Sequence, residues 1–327
     1  MKTRLFHTLI AAMLAWALLA RPDAGAATLD LAGYAEPSGA ILILRGGNIV
    51  DPYFAVQALL LAQENGLDVT PYREKWVWWL SIRQKLDGTF DRHCRAGPTW
   101  VGCKTADADD ALQAMWMQLL DSDPALRDSD LALRTSYRKS GDVLARLFDA
   151  RRGIYLVSAI YQQGLFMDNL EVWAAQSHRP GEQSAEEAKR LAQSIHAVFW
   201  DAKGQRFLVS TQPEQASTAP YFYPDRVAQI FPLLFDYPYL PVSAHRYYAG
   251  WMKQHRKEWL AQIRHDFAWG LIALIAMKQG DRFSARCWLR EAVPFRHSEH
   301  WTVTDETVFQ VLRARHLQAA GPRAACR

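Results

Sequence analysis

Lys104-Thr-Ala-Asp-Ala-Asp-Asp-Ala-Leu-Gln-Ala-Met-Trp-Met-Gln-Leu-Leu120 reads as a helix that begins among three carboxylates. Thr105 or Asp107 can cap free backbone N–H groups, and negative charge suits the positive end of the helix dipole. Ala111, Leu112, Met115, Leu119 and Leu120 supply one broad apolar face. The same arrangement, an Asp at the start of a short apolar helix, recurs at Asp51, Asp168, Asp225, Asp266 and Asp305. Parallel helices of this kind, packed side by side, would pool their acidic ends on one rim.

Six Asp-led apolar segments follow, at about 51–66, 107–120, 167–177, 223–235, 266–279 and 304–317. Longer and more polar helices alternate with them, at about 70–86, 129–148, 183–200, 241–260 and 281–293. Three outer-type segments close in the same way, with a Gly turn and an aromatic: Lys85-Leu-Asp-Gly-Thr-Phe90, Phe148-Asp-Ala-Arg-Arg-Gly-Ile-Tyr155 and Phe199-Trp-Asp-Ala-Lys-Gly-Gln-Arg-Phe207. The repeating unit is therefore a helical hairpin, and its period is that of a two-helix repeat. Six units without obvious capping repeats predict an all-α, closed double ring, with the apolar class inside and the mixed class outside. The run Ile41-Leu-Ile-Leu44 predicts a short strand or extended segment before the first hairpin. No Pro-, Gly- or Ser-rich linker divides the chain, so residues 27–327 are expected to form one domain.

Half of the 327 residues are apolar and 13 are Trp, enough for a large core and too apolar for a disordered chain. Lys2 and Arg4 precede an apolar run from Leu9 to Ala20, and Ala24-Gly25-Ala26 fits a small-residue cleavage site, so residues 1–26 read as a signal peptide. The expected location is periplasmic or secreted, without a membrane span after signal removal. In an oxidising compartment Cys94 is expected to pair with Cys103, across a short loop, and Cys287 with Cys326. The formal charge of +4 falls further when the leader is removed, which argues against nucleic acid as a partner. No phosphate-binding loop or metal-binding motif stands out, so neither a cofactor nor a metal is expected.

The pattern resembles the six-hairpin (α/α)6-barrel glycosidase superfamily. Thr105-Ala-Asp-Ala-Asp-Asp-Ala-Leu112 is similar to the Asp-x-Asp start of an inner helix in glycoside hydrolase family 8, the endoglucanases, chitosanases and xylanases. Tyr53-Phe-Ala-Val-Gln-Ala-Leu59, Tyr72 to Trp79 and Gly88-Thr-Phe90 stand in that family's order. The resemblance implies that Asp107 and Asp109 lie near the sugar at the cleavage point. It also implies an acidic Glu in a Ser-Glu-Gly-type turn before the first inner helix, where this chain has Arg45-Gly-Gly-Asn-Ile-Val-Asp51 and no Glu.

Glycoside hydrolysis needs one carboxyl to protonate the leaving oxygen and a second on the opposite face. Asp107, Asp109 and Asp110 are the expected reaction centre, with Asp51 or Glu171 as acid. Three adjacent carboxylates exceed what one helix cap requires. Asp168, Trp100, Trp173, Tyr221, Tyr223, Asp225 and Arg92 are the expected substrate contacts: aromatics for sugar stacking, Arg92 for an acidic sugar. The functional expectation is an exported glycoside hydrolase that cuts a β-linked polysaccharide or oligosaccharide, alongside an exopolysaccharide-secretion machinery. A polysaccharide lyase and a non-catalytic glycan-binding or assembly protein are the alternatives, the latter favoured by the missing Glu.

Overall fold

The computed structural model describes residues 27–213, 220–321 and 326; the leader read at 1–26 lies outside the described residues. Six inner helical segments form a closed ring. They are α1 (Pro52–Glu64), α3 (Asp109–Asp121), α6 (Phe166–Ser177), a broken segment around α8 (Val227–Ile230), α10 (Gly270–Lys278) and α12 (Val303–Ala314). Each packs on the next, and α12 closes against α1. Outside them lie α2 (Thr70–Ser81), α5 (Leu131–Leu147), α7 (Glu182–Phe199), α9 (Ala244–Ala261) and α11 (Arg282–Ala292), with the short α4 (Pro124–Ser129) leading into α5. The fold is thus an (α/α)6 barrel.

Composition explains which helix goes where. In α10, Leu271 to Ala276 are all buried, so this helix has no solvent face and must stand inside. In α7 the buried positions are Ala188, Leu191, Ala192, Ile195 and Phe199, one stripe at helical spacing that covers the inner layer. No sixth outer helix occurs among the described residues. There the extended lead-in runs against α12 and α2: Asp30 bonds Gln310, the Leu31 N–H donates to the Tyr72 hydroxyl, and the Val303 N–H donates to the Ile43 carbonyl.

Several boundaries differ from expectation. Ile41 and Leu42 are buried and Ile43 and Leu44 half-buried in an extended segment, not a strand, which makes only single bridges, Ile41 with Ala35 and Leu44 with Thr302. The stretch between the first two hairpins, expected as a loop, is a three-stranded antiparallel sheet of β1 (Ile49–Val50), β2 (Asp91–Ala96) and β3 (Thr99–Thr105). Cys94 and Cys103 are bonded across it, and Cys287 is bonded to Cys326. The Gly turns after α5 and α7 close two-residue ribbons, β4–β5 (Phe148–Asp149 with Ile154–Tyr155) and β6–β7 (Trp200–Asp201 with Arg206–Phe207). The fourth inner segment breaks into a π turn (Phe222–Arg226), α8 and a 3-10 turn (Phe231–Leu234). Pro224 and Pro232 lack the N–H that a continuous helix would need there.

Candidate active site at the amino-terminal rim

The six inner segments all bring their amino-terminal ends to one cavity of about 260 Å³. Its carboxylates are Asp107, Asp168, Asp266 and Asp305, its aromatic walls include Tyr53, Tyr223 and Trp269, and no Lys, Arg or His lines it.

Asp107 reaches the cavity because the helix starts later than the sequence suggests. Thr105 is held in β3 opposite Asp91, so the chain must turn sharply before the helix, and Ala108 takes a left-handed φ of 46°. Asp107 is thereby left outside α3 as an exposed residue at the cavity wall, and neither it nor Thr105 caps the helix. Trp269 repeats the device at the start of α10, with φ 52°. A left-handed conformation costs a non-glycine residue about 1–2 kcal/mol, and two such residues line this one cavity.

Asp168 lies in the first turn of α6, where it neither caps nor pairs. It is 9% exposed, lines the cavity, and its Oδ2 has no hydrogen-bond partner. Burial, with the charge of Asp107 added, pushes its carboxyl up to about 7. Glu171 follows one turn deeper. Its Oε1 accepts from the Tyr53 hydroxyl at 2.8 Å and from Gln57 Nε2 at 3.1 Å, while Oε2 has no partner. Burial and the Asp168 charge lift Glu171 to about 8, against the pull of those two donors. Asp110 is fully buried with both oxygens unbonded, and burial followed by the Asp168 charge raises it well above the ordinary range. The N–H groups of Asp110 and Ala111 lie close enough to favour its charged form, but without bonding geometry. Near neutral pH, therefore, an ionisable Asp168 stands in front of Glu171, which keeps its proton, and of Asp110, whose carboxyl burial biases toward the neutral form.

The remaining expected site residues are distributed differently. Asp51 is a buried N-cap of α1, accepting from the Tyr53 N–H, and pairs with Arg92 Nε at 2.8 Å. Arg92 is correspondingly engaged, and no free acid stands in the turn just before α1. Asp109 turns from the cavity toward Lys85, Asp87 and Asp91; burial raises it to about 6 against the opposing charge of Lys85. Trp100 sits on the sheet, donating from Nε1 to Glu36 at 3.0 Å under the Arg95 guanidinium. Trp173 packs edge-on against Tyr237 in the core. Asp225 accepts from the Tyr221 N–H and lines a separate hollow with Arg226, Gln229 and His255; Tyr221 is 70% exposed and lines neither space. Tyr223 does line the cavity and stacks on Trp269, with ring centroids 5.0 Å apart.

Three contributors fell outside the sequence-based site set. Tyr53 and Gln57 hold Glu171, and Trp269 builds the aromatic wall. Asp266, noted at its helix start, accepts from Trp269 Nε1 at 3.2 Å and lines the cavity. Asp305 closes a capping box with Thr302 and accepts from the Gly270 N–H, so two inner helices share it. No group of three or more His, Cys, Asp or Glu among the described residues is arranged to hold a metal ion.

No protein-family profile and no curated protein matches the chain. Solved structures do. An alpha-amylase from Clostridium perfringens superposes with a TM-score of 0.59 at 8% identity, covering 88% of this chain and 94% of that one. The likeness is one of fold. A conserved protein of Thermus thermophilus, described as uncharacterized, gives 0.52 at 12% identity over 87% and 97% of the two chains. D-mannose isomerase gives 0.52 at 11% identity over 86% and 93%.

Proposed function

We propose that the protein is an exported, single-domain glycoside hydrolase of the cell envelope, acting on a β-linked polysaccharide or oligosaccharide, with Asp168 as general acid. The observation that carries this reading is Asp168 itself: a carboxyl at the cavity wall with one oxygen unpartnered, poised near 7 beside the exposed Asp107. A protonated Asp168 gives its proton to the glycosidic oxygen as the bond to the anomeric carbon breaks. Asp107 then serves as the second carboxylate, taking a proton from the attacking water or bonding the sugar. Tyr223 on Trp269 offers the flat apolar surface that a sugar ring needs. The two disulfides suit an oxidising compartment, and no helix among the described residues is long and apolar enough to cross a membrane.

Reducing-end release from a panel of β-linked glycans tests the reading. Asp168→Asn and Asp107→Asn are each expected to lower kcat by about 10²–10⁴-fold, the usual worth of a positioned acid or base. Full activity in either variant overturns the assignment. The lyase alternative lacks support from the cavity, since a uronate would meet carboxylates and no cation. The burial of Asp51 against Arg92, where the family's acid would stand, favours the glycan-binding alternative. Oligosaccharide binding by calorimetry without turnover would select it.

A further inference from the structure

The charge of this chain is unevenly laid out. Residues 241–290 contain nine Lys and Arg against three acids, whereas residues 27–240 hold 21 against 26. The three acids in the basic stretch do not offset it on the outside. Glu258 is held by Arg226, Asp281 caps α11 and accepts from Tyr248, and Asp266 lines the cavity on the inner side.

Seven of the nine cations lie on α9 and α11, outer helices that pack together. On α9, Arg246, Lys253 and Lys257 are exposed and spaced seven and four residues apart. At 100° per residue they fall within about 40° of one line, spread over about 16 Å of helix. On α11, Arg282 and Arg286 are exposed one turn apart. None of these five pairs with a carboxylate among the described residues. Phe283 stands among them 47% exposed, with the Arg256 guanidinium 5.0 Å above its ring.

We propose that the α9–α11 wall docks the protein on an anionic phospholipid surface. Five uncompensated cations in one patch complement a sheet of anionic headgroups, whose potential falls off within about 8–10 Å and so rewards charges in one plane. The cations stand exposed on two neighbouring outer helices. An exposed Phe among them matches the apolar layer beneath the headgroups. Because α9 runs along the barrel wall, docking there leaves the cavity mouth facing sideways and open to a soluble glycan.

Co-sedimentation of the full mature chain with mixed phosphatidylglycerol–phosphatidylcholine vesicles tests this. Binding is expected at low salt, weakening as salt rises, and absent on pure phosphatidylcholine. Each Lys or Arg at such a surface is worth about fivefold in affinity, so Arg246→Glu, Lys253→Glu and Lys257→Glu together should cost at least about 100-fold. Circular dichroism and the melting temperature check that this variant remains folded; a second variant with glutamine at the same three positions should fall between it and the wild type. Failure of the wild type to sediment with phosphatidylglycerol, or undiminished binding by the folded variants, overturns the proposal. So does displacement from vesicles by the soluble polyanion alginate acting through the same three residues, which would assign the wall to an acidic polysaccharide.

Discussion

Asp168 differs from its neighbours by what surrounds it, and the general-acid role proposed for it rests on that difference. Asp109, two residues beyond Asp107 in the same acidic run, turns to Lys85, while Asp168 has one oxygen without a partner at the cavity wall. A general acid with a carboxyl near 7 is lost as pH rises through that value, so kcat should fall on the alkaline side with a midpoint near 7. The pH–rate profile checks this. An alkaline limb well above 8 would point to a different acid. Glu171 has a separate, thermodynamic signature. Its folded value, about 8, lies above its ordinary one, so the folded state holds a proton that the unfolded chain has released. Stability therefore falls as pH rises from about 4.5 to about 8. Glu171→Gln removes that proton linkage and should melt relatively higher at pH 8 than at pH 5, compared with the wild type. An equal effect at both pH values would mean that Glu171 is ionised in the fold.

At the scale of the element, the first inner helix depends on a residue that serves two structures at once. Asp51 caps α1 and holds Arg92 of β2, which ties the sheet to the barrel. Losing the cap alone costs about 1 kcal/mol, and stranding Arg92 beside a buried space brings the loss to about 3 kcal/mol or more. Asp51→Ala should show this in a urea melt, with the midpoint lowered at unchanged slope. A loss under about 1 kcal/mol would show that Arg92 swings out to water at no cost. The disulfides can be ranked by the chain they close. Cys287–Cys326 spans 39 residues and Cys94–Cys103 spans 9, so loop entropy assigns them about 4 and about 2.5 kcal/mol. Cys287→Ser with Cys326→Ser should therefore lower the melting temperature more than the pair of substitutions at 94 and 103.

For the whole molecule, closure of the ring concentrates both the core and the charge. Trp76, Trp116, Trp259, Trp288 and Trp301 are wholly buried between the two layers. Trp116 also donates to Ser136 at 3.0 Å, which locks α3 to α5. Trp116→Ala should cost about 3–5 kcal/mol in equilibrium unfolding, from the cavity and the stranded hydroxyl together. A loss under about 1 kcal/mol would mean that the two layers collapse to fill the space. Inside the ring, Asp110, Asp168 and Glu171 all have raised carboxyls. The whole barrel should consequently be more stable at mildly acidic pH than at pH 8 to 9, and a melting temperature that climbs across that range would contradict the raised carboxyls of this buried cluster.

The alternation of apolar and mixed helices, the Gly-turn repeat and the Asp-led helix starts were readable from local pattern alone. A helix buried on every side and one covering a neighbour differ in residue spacing, and spacing is a property of the chain. The pairing of Cys94 with Cys103 was readable for the same reason, since only eight residues separate the two. Which carboxylate does what was not readable. Asp51, Asp107 and Asp168 look alike as acids near helix starts, yet one is neutralised by Arg92, one is pushed out of its helix by the β3 turn, and one keeps an oxygen without a partner at the cavity wall. Each fate depends on a residue from a distant segment or on a backbone turn imposed by a strand pairing. Trp173 and Trp100 were likewise indistinguishable from Trp269 until the layers packed, because an indole presents the same surface to a sugar, a guanidinium or a core. Local periodicity sets the elements, whereas burial and charge, which give a carboxyl its role, arise only when six helix ends meet.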